Sequence, residues 1–215
     1  MKSILIIGLG LFGQHAVQKL AEDKHEIMAV DIIEERVNSI LPYVTGAQIG
    51  DSTNADFLKS LGVDNYDLCI VTIGDDFQAS LETTSLLKEF GAVKVVSRAS
   101  SDIHEKFLLR NGADEVIYPE KQLAEWAATR YTSDHILDFI QIDSDHSIFE
   151  LTVPYAWHNK TIIDLNIRKK YNINIIAVKE NGKINMTVSP DFEFAAGQSV
   201  LVVGRDRDIE KYFHI

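Results

Sequence analysis

Short apolar runs alternate with helix-period segments along the first part of the chain. Ile4–Ile7, Ile27–Asp31, Ala47–Ile49, Leu68–Ile73, Val93–Ser97 and Val116–Tyr118 are too short for helices and rich in β-branched residues, so they read as strands. Between them, Gln14–Glu22, Glu34–Leu41, Ala55–Leu61, Gln78–Phe90 and Ile103–Asn111 carry apolar residues at helical spacing and are long enough to be crossover helices. Strands that alternate with helices pair in parallel through right-handed crossovers, which predicts a doubly wound α/β sheet with helices on both faces. A ligand of such a sheet lies at the carboxyl ends of its strands, so the loops after the first four strands become candidate pocket walls.

The pattern changes after Pro119. Gln122–Tyr131 reads as one more helix, and Ser133-Asp134-His135 as a hinge. Beyond it, Phe139–Asp143, Ile148–Val153, Ile173–Lys179, Ile184–Val188 and Val200–Val203 read as strands, with a helix around Asp164–Lys170. Asn181-Gly182 predicts a tight hairpin turn, because both residues accept positive φ. The expected division is a first domain over 1–134, with its crossover helix, and a small α+β domain over 135–215.

One motif gives the first domain a chemistry. Gly8-Leu9-Gly10-Leu11-Phe12-Gly13 follows the first apolar run directly, and the second run ends in Asp31. In a strand–loop–helix setting, the first glycine allows the turn, the second lets backbone N–H groups approach a phosphate, and the third lets helix and strand pack closely. The helix N-terminus attracts the anion, and an acid at the end of the second strand accepts from ribose hydroxyls. The first domain therefore reads as Rossmann-like and as a binder of an adenine nucleotide.

Charge and composition narrow the options. With 32 acidic against 21 basic residues the net charge is −11, which does not suit a surface for nucleic-acid phosphates or anionic lipid. No apolar stretch approaches the ~18 residues of a membrane span, and a strand begins at once with no signal-peptide layout, so a cytoplasmic protein is expected. Cys69 lies inside an apolar run and reads as a buried thiol. The seven histidines lack zinc-site spacing and read as surface or linker residues.

Taken together, these residues resemble the RCK family, the regulators of potassium conductance, and among them the cytosolic regulatory subunits of Ktr/Trk-type potassium uptake systems. The resemblance rests on the glycine motif, Ala29-Val30-Asp31, Gly50-Asp51-Ser52-Thr53, Thr72-Ile73-Gly74, Gly112-Ala113-Asp114 and Tyr118-Pro119-Glu120-Lys121. In the second domain it rests on Ile162-Ile163-Asp164-Leu165-Asn166-Ile167-Arg168 and Tyr171-Asn172-Ile173-Asn174-Ile175. It implies a non-enzymatic regulator whose homodimers build an octameric ring on an integral-membrane potassium channel or transporter, the ring lying peripheral to the inner membrane face.

The same resemblance implies a site for NAD(H), ADP or ATP at Gly8, Gly10, Leu11, Phe12, Gly13, Asp31, Ile32, Asp51, Ser52, Thr72, Ile73, Gly74 and Arg98. It implies that Glu120 helps hold Mg2+ when ATP is bound. Leu11 departs from the arginine common in ATP-responsive members, which leaves the choice of nucleotide open and brings in Arg36 or Arg98 as substitutes. For the second domain it implies cyclic di-AMP at Ile162, Ile163, Asp164, Arg168, Asn174, Ile175 and Pro190, set against a plain reading as a capped helix with a basic last turn. Two other classes fit the residues less well. A small NAD-dependent oxidoreductase would need a positioned acid or base that the second domain does not offer, and a DNA-binding redox sensor is opposed by the charge.

Overall fold

The computed structural model describes residues 1–214. Two compact units divide at Lys121/Gln122. In the first, β1 (Ser3–Ile7), β2 (Glu26–Asp31), β3 (Gly46–Ile49), β4 (Leu68–Val71), β5 (Val95–Arg98) and β6 (Glu115–Ile117) form one sheet in the order β3-β2-β1-β4-β5-β6. Every neighbouring pair is parallel. The order reverses between β1 and β4, so the doubly wound expectation holds and the switch point lies beside the glycine loop.

Helices α1 (Leu11–Glu22), α2 (Glu34–Ile40), α3 (Ala55–Ser60), α4 (Phe77–Glu89) and α5 (Asp102–Arg110) make the crossovers. The strands read as continuous apolar runs because both faces are covered. Ile4 and Ile6 of β1 enter one core cluster with Val17 and Val37, whereas Leu5 and Ile7 enter the other with Leu58 and Leu87. Cys69 is fully buried, and desolvation pushes its thiol pKa up to about 12.

Helix α6 (Pro119–Tyr131) straddles the division between the units. The second unit holds an antiparallel sheet in the order β10-β9-β11-β8-β7, built from β7 (Ile136–Gln141), β8 (His146–Thr152), β9 (Asn174–Glu180), β10 (Lys183–Asn185) and β11 (Ser199–Arg205). Its core gathers Trp157, Phe194, Leu151, Val200 and Val202. Asn181 and Gly182 turn the β9–β10 hairpin with φ of 49° and 77°, as the dipeptide predicts.

Three expectations for this unit needed correction. The single helix expected over Asp164–Lys170 is two short ones, α7 (Ile162–Leu165) and α8 (Ile167–Tyr171), broken at Asn166, whose φ of 48° is left-handed. The strand expected over Ile184–Val188 stops at Asn185, where the chain leaves the hairpin. A terminal helix, α9 (Asp206–Phe213), was not anticipated; it buries Ile209 and Phe213 at i, i+4 spacing.

Candidate nucleotide-binding cleft

The carboxyl ends of β1, β2, β4 and β5 open into a cleft of about 900 Å³. The glycine loop forms its floor, and each glycine has a separate reason to lack a side chain. Gly8 takes φ of +97°, and a Cβ there would press on the backbone of Thr72 and Ile73 at 3.0–3.1 Å. Gly13 is buried in the first turn of α1, where a Cβ would collide with the Gly8 carbonyl. Gly10 differs: it starts α1 with extended backbone, and a Cβ on it would meet nothing within 4 Å. Its bareness serves no packing in the chain itself. It keeps the approach to the α1 N-terminus open, where first-turn N–H groups lack intrahelical partners.

Two side chains fix the loop. The Leu9 N–H donates to Asp31 Oδ2 at 2.5 Å, and the Ile33 N–H donates to Asp31 Oδ1 at 2.8 Å. The Thr72 hydroxyl donates to the carbonyls of Ile7 and Gly8. Asp31 is 5% exposed and Thr72 4%, and both line the cleft. Arg36 Nη1 stands 3.6 Å from Asp31 Oδ2, which places a cation beside that carboxylate.

The adjoining loop carries Asp51, whose pKa is lowered by hydrogen bonds from the Thr53 hydroxyl and backbone N–H. Ser52 is buried and shares a hydrogen bond of 2.8 Å with Thr83 Oγ1, so its hydroxyl is already engaged.

At the opposite end Arg98 emerges from β5. Its guanidinium pairs with Glu120 and lies against Gly74, where a Cβ would strike it. Its Nε is buried without a partner. Burial works to raise the Glu120 pKa, yet the helix backbone and the Arg98 guanidinium together hold it below the ordinary carboxylate value.

The cleft thus brings together Gly8, Gly10, Leu11, Phe12, Asp31, Ile32, Asp51, Ser52, Thr72, Ile73, Gly74, Arg98 and Glu120. Gly13 sits behind the lining and shapes it indirectly. His15, set aside in the sequence as an exposed helix residue, lies on the rim, as do Asp75, Asp76, Gln78 and Glu82. Among the described residues no three His, Cys, Asp or Glu side chains are grouped to hold a metal ion.

One residue departs from the sequence expectation outright. His104 is not on the surface but fully buried, bonded to Ser80 and Ser100. The Ser80 hydroxyl on the inner face of α4 makes that possible, while its buried neighbours Thr83 and Thr84 bond Ser52 and Ser97. A run of Ser and Thr at helical spacing was the available signal, and it is easily taken for a solvated face.

In the second unit, the Ile163 N–H donates to the Pro190 carbonyl at 3.1 Å, and Ile162 and Ile175 pack against one core. Asp164 closes a capping box with Thr161, whose backbone N–H and hydroxyl lower its pKa. Arg168 is exposed on α8, and Asn174 opens β9 opposite Val203. The plain reading expected Asp164 itself as the cap of one helix; the cap of α7 is Thr161, with Asp164 at the third helical position, and the basic turn belongs to α8.

Residues 4–119 match the TrkA-N domain and residues 147–215 the TrkA-C domain. Ktr system potassium uptake protein C of Bacillus subtilis is 36% identical over 211 residues, covering 98% of this chain and 96% of that protein. The chain belongs to the RCK family. A GsuK RCK domain shares the RCK architecture with a TM-score of 0.71 at 19% identity, over 99% of this chain and 47% of that one. A GsuK channel bound to NAD gives 0.70 at 20% identity, over 96% and 38%. This RCK chain thus spans under half the length of those solved chains.

Proposed function

We propose that this protein is the nucleotide-sensing regulatory subunit of a Ktr-type potassium uptake system. The observation that carries the reading is the coincidence of near end-to-end identity with a Ktr uptake protein and an open, pre-shaped cleft at the switch point. The volume suits a dinucleotide or a nucleoside phosphate. In this reading first-turn N–H groups of α1 take the phosphates, Asp31 and Arg36 hold the adenosine ribose, and Asp51 borders the adenine. Thr72 to Gly74 lie across the ligand, with Arg98 at the far end.

The lining includes Asp31, Asp51, Asp75, Asp76, Glu82 and Glu120 against Arg36 and Arg98. That balance, with Leu11 supplying no charge, favours NAD(H), which carries less negative charge than ATP. Mg2+ held partly by Glu120 belongs to the ATP-loaded state. Nucleotide acts by binding two assembly states unequally, and the subunit needs no chemical step. Homodimers, an octameric ring and an integral-membrane potassium partner complete the proposal, with the subunit held at the inner membrane face by that partner.

For the second unit, cyclic di-AMP would lie between copies at Ile163, Pro190, Asn174 and Arg168. Calorimetric titration with NAD, ADP and ATP tests the cleft. Binding of at least one is expected, and Asp31→Ala should weaken it about tenfold or more, in line with the loss of ~1.5–3 kcal/mol for a charge-assisted bond. Unchanged affinity in the variant would place the ribose elsewhere. Cyclic di-AMP should raise the melting temperature of the parent and not of Arg168→Ala.

A further inference from the structure

At the corner where β5 hands over to α5, the His104 ring stands between two helices. Its Nε2 lies 3.2 Å from Ser80 Oγ on α4. Its Nδ1 lies 3.3 Å from the Ser100 backbone nitrogen and 3.2 Å from the Ser100 hydroxyl. A backbone N–H can only donate, so Nδ1 is the acceptor, and the ring proton sits on Nε2, donated to Ser80. Phe77 packs on the ring with centroids 4.9 Å apart.

A second proton would have to enter at Nδ1. There it would set N–H against N–H at Ser100 and add a cation near Arg98. The groups facing the ring from α4 are Phe77 and Ser80, both uncharged, while the nearby Asp76 carboxylate caps α4 through the Ala79 N–H at 2.9 Å. From β5 and its following loop they are Arg98 and Ser100, and Arg98 already has Glu120 as counter-ion. Burial, and after it the Arg98 charge, hold the ring's pKa below its ordinary value.

We infer that His104 is an acid-sensitive clasp on the cleft: neutral, it ties the first turns of α4 to the Ser100 loop behind Arg98, and protonated, it releases them and weakens nucleotide binding. The α4 turns concerned carry the cleft residues Asp76, Gln78 and Ala79. The binding half of this inference rests on the nucleotide reading above. The sign follows from linkage. The unfolded imidazole takes a proton near pH ~6.5 and the folded one only at lower pH, so the stability the clasp contributes is fully present above pH ~6.5 and is lost as pH falls from there through the folded ring's lower pKa, where the clasp itself opens.

The test uses the full chain. Histidine-labelled NMR of the parent should find the Nε2–H tautomer persisting below pH ~6.5, with faster Ser100 amide exchange once the ring titrates. A ring that titrates at or above its ordinary value overturns the clasp. NAD, whose diphosphate bridge holds no titrating proton near neutrality, is the probe for binding. Its affinity for the parent should fall about threefold or more between pH ~7 and a pH about one unit below the ring's own titration midpoint in that NMR experiment, and that for His104→Asn should stay within about twofold over the same range. A variant that follows the parent curve overturns the proposal. If the variant fails to fold, the parent NMR titration decides alone. A parent whose ring and Ser100 amide behave as expected but which binds no NAD at any pH upholds the clasp and removes the nucleotide reading.

Discussion

Asp31 carries two duties in one carboxylate, because the oxygens that would meet a ribose already accept the Leu9 and Ile33 amides. An amide side chain at this position has only one acceptor oxygen. Asp31→Asn should therefore lower stability by about 1–3 kcal/mol in urea unfolding, the cost of one buried amide left without a partner. A change under a few tenths would mean the loop does not depend on it. Gly13 makes a second residue-scale test. Gly13→Ala forces the Gly8 carbonyl aside and should lower stability as well as nucleotide affinity, whereas Gly10→Ala, whose added methyl meets nothing in the chain itself, should leave stability unchanged and weaken nucleotide binding alone. Unchanged affinity in Gly10→Ala would show that the ligand does not approach α1 there. At this scale the glycines and Asp31 were legible because their spacing is rigidly tied to one loop geometry. His104 was not, since its burial depends on hydroxyls arriving from α4, a helix elsewhere in the sequence.

Between elements, the errors cluster where local signals are short. Asn166 interrupts what reads as one amphipathic run, and only its left-handed backbone reveals two helices. Asn166→Ala should cost about 1 kcal/mol by equilibrium unfolding, because alanine keeps the Cβ but lacks the short polar side chain that lets asparagine tolerate that conformation, while Asn166→Gly should cost less. Helix α9 escaped notice because its two core residues, Ile209 and Phe213, give a single repeat of helical spacing. Its packing is nonetheless substantial, with Phe213 5.5 Å from the Trp157 ring and Tyr212 accepting from Trp157 Nε1 at 3.1 Å. Phe213→Ala should destabilise the second unit by about 3–5 kcal/mol. By contrast, β1, β2, β4 and β5 were legible as elements because the inner strands of a sheet covered on both faces leave apolar runs.

Across the whole molecule, each compact unit has its own core, and the cleft draws its walls from the first alone. Calorimetric melting should accordingly resolve two transitions, and saturating nucleotide should raise only one. At a hundredfold excess over the dissociation constant the gain is about 2.7 kcal/mol for the binding unit. A single transition that moves as one would indicate that the units unfold together. The charge of −11 set the partner classes at this scale, yet nothing in composition could have revealed a ring or a membrane partner. The proposed ring and membrane partner rest on resemblance alone, because assembly surfaces are specified by shape between copies and leave little periodic trace.

The glycine loop is latched from both sides, by Asp31 on the Leu9 amide and by Thr72 on the Ile7 and Gly8 carbonyls. Its form is therefore settled during folding. Under the proposed function, an incoming nucleotide would spend little of its interaction energy on ordering that segment, and a departing one would leave the seat intact for the next. Competing nucleotides would then replace one another on the same frame at rates governed by encounter and release. Such a site would read the ratio between them and respond promptly when that ratio shifts.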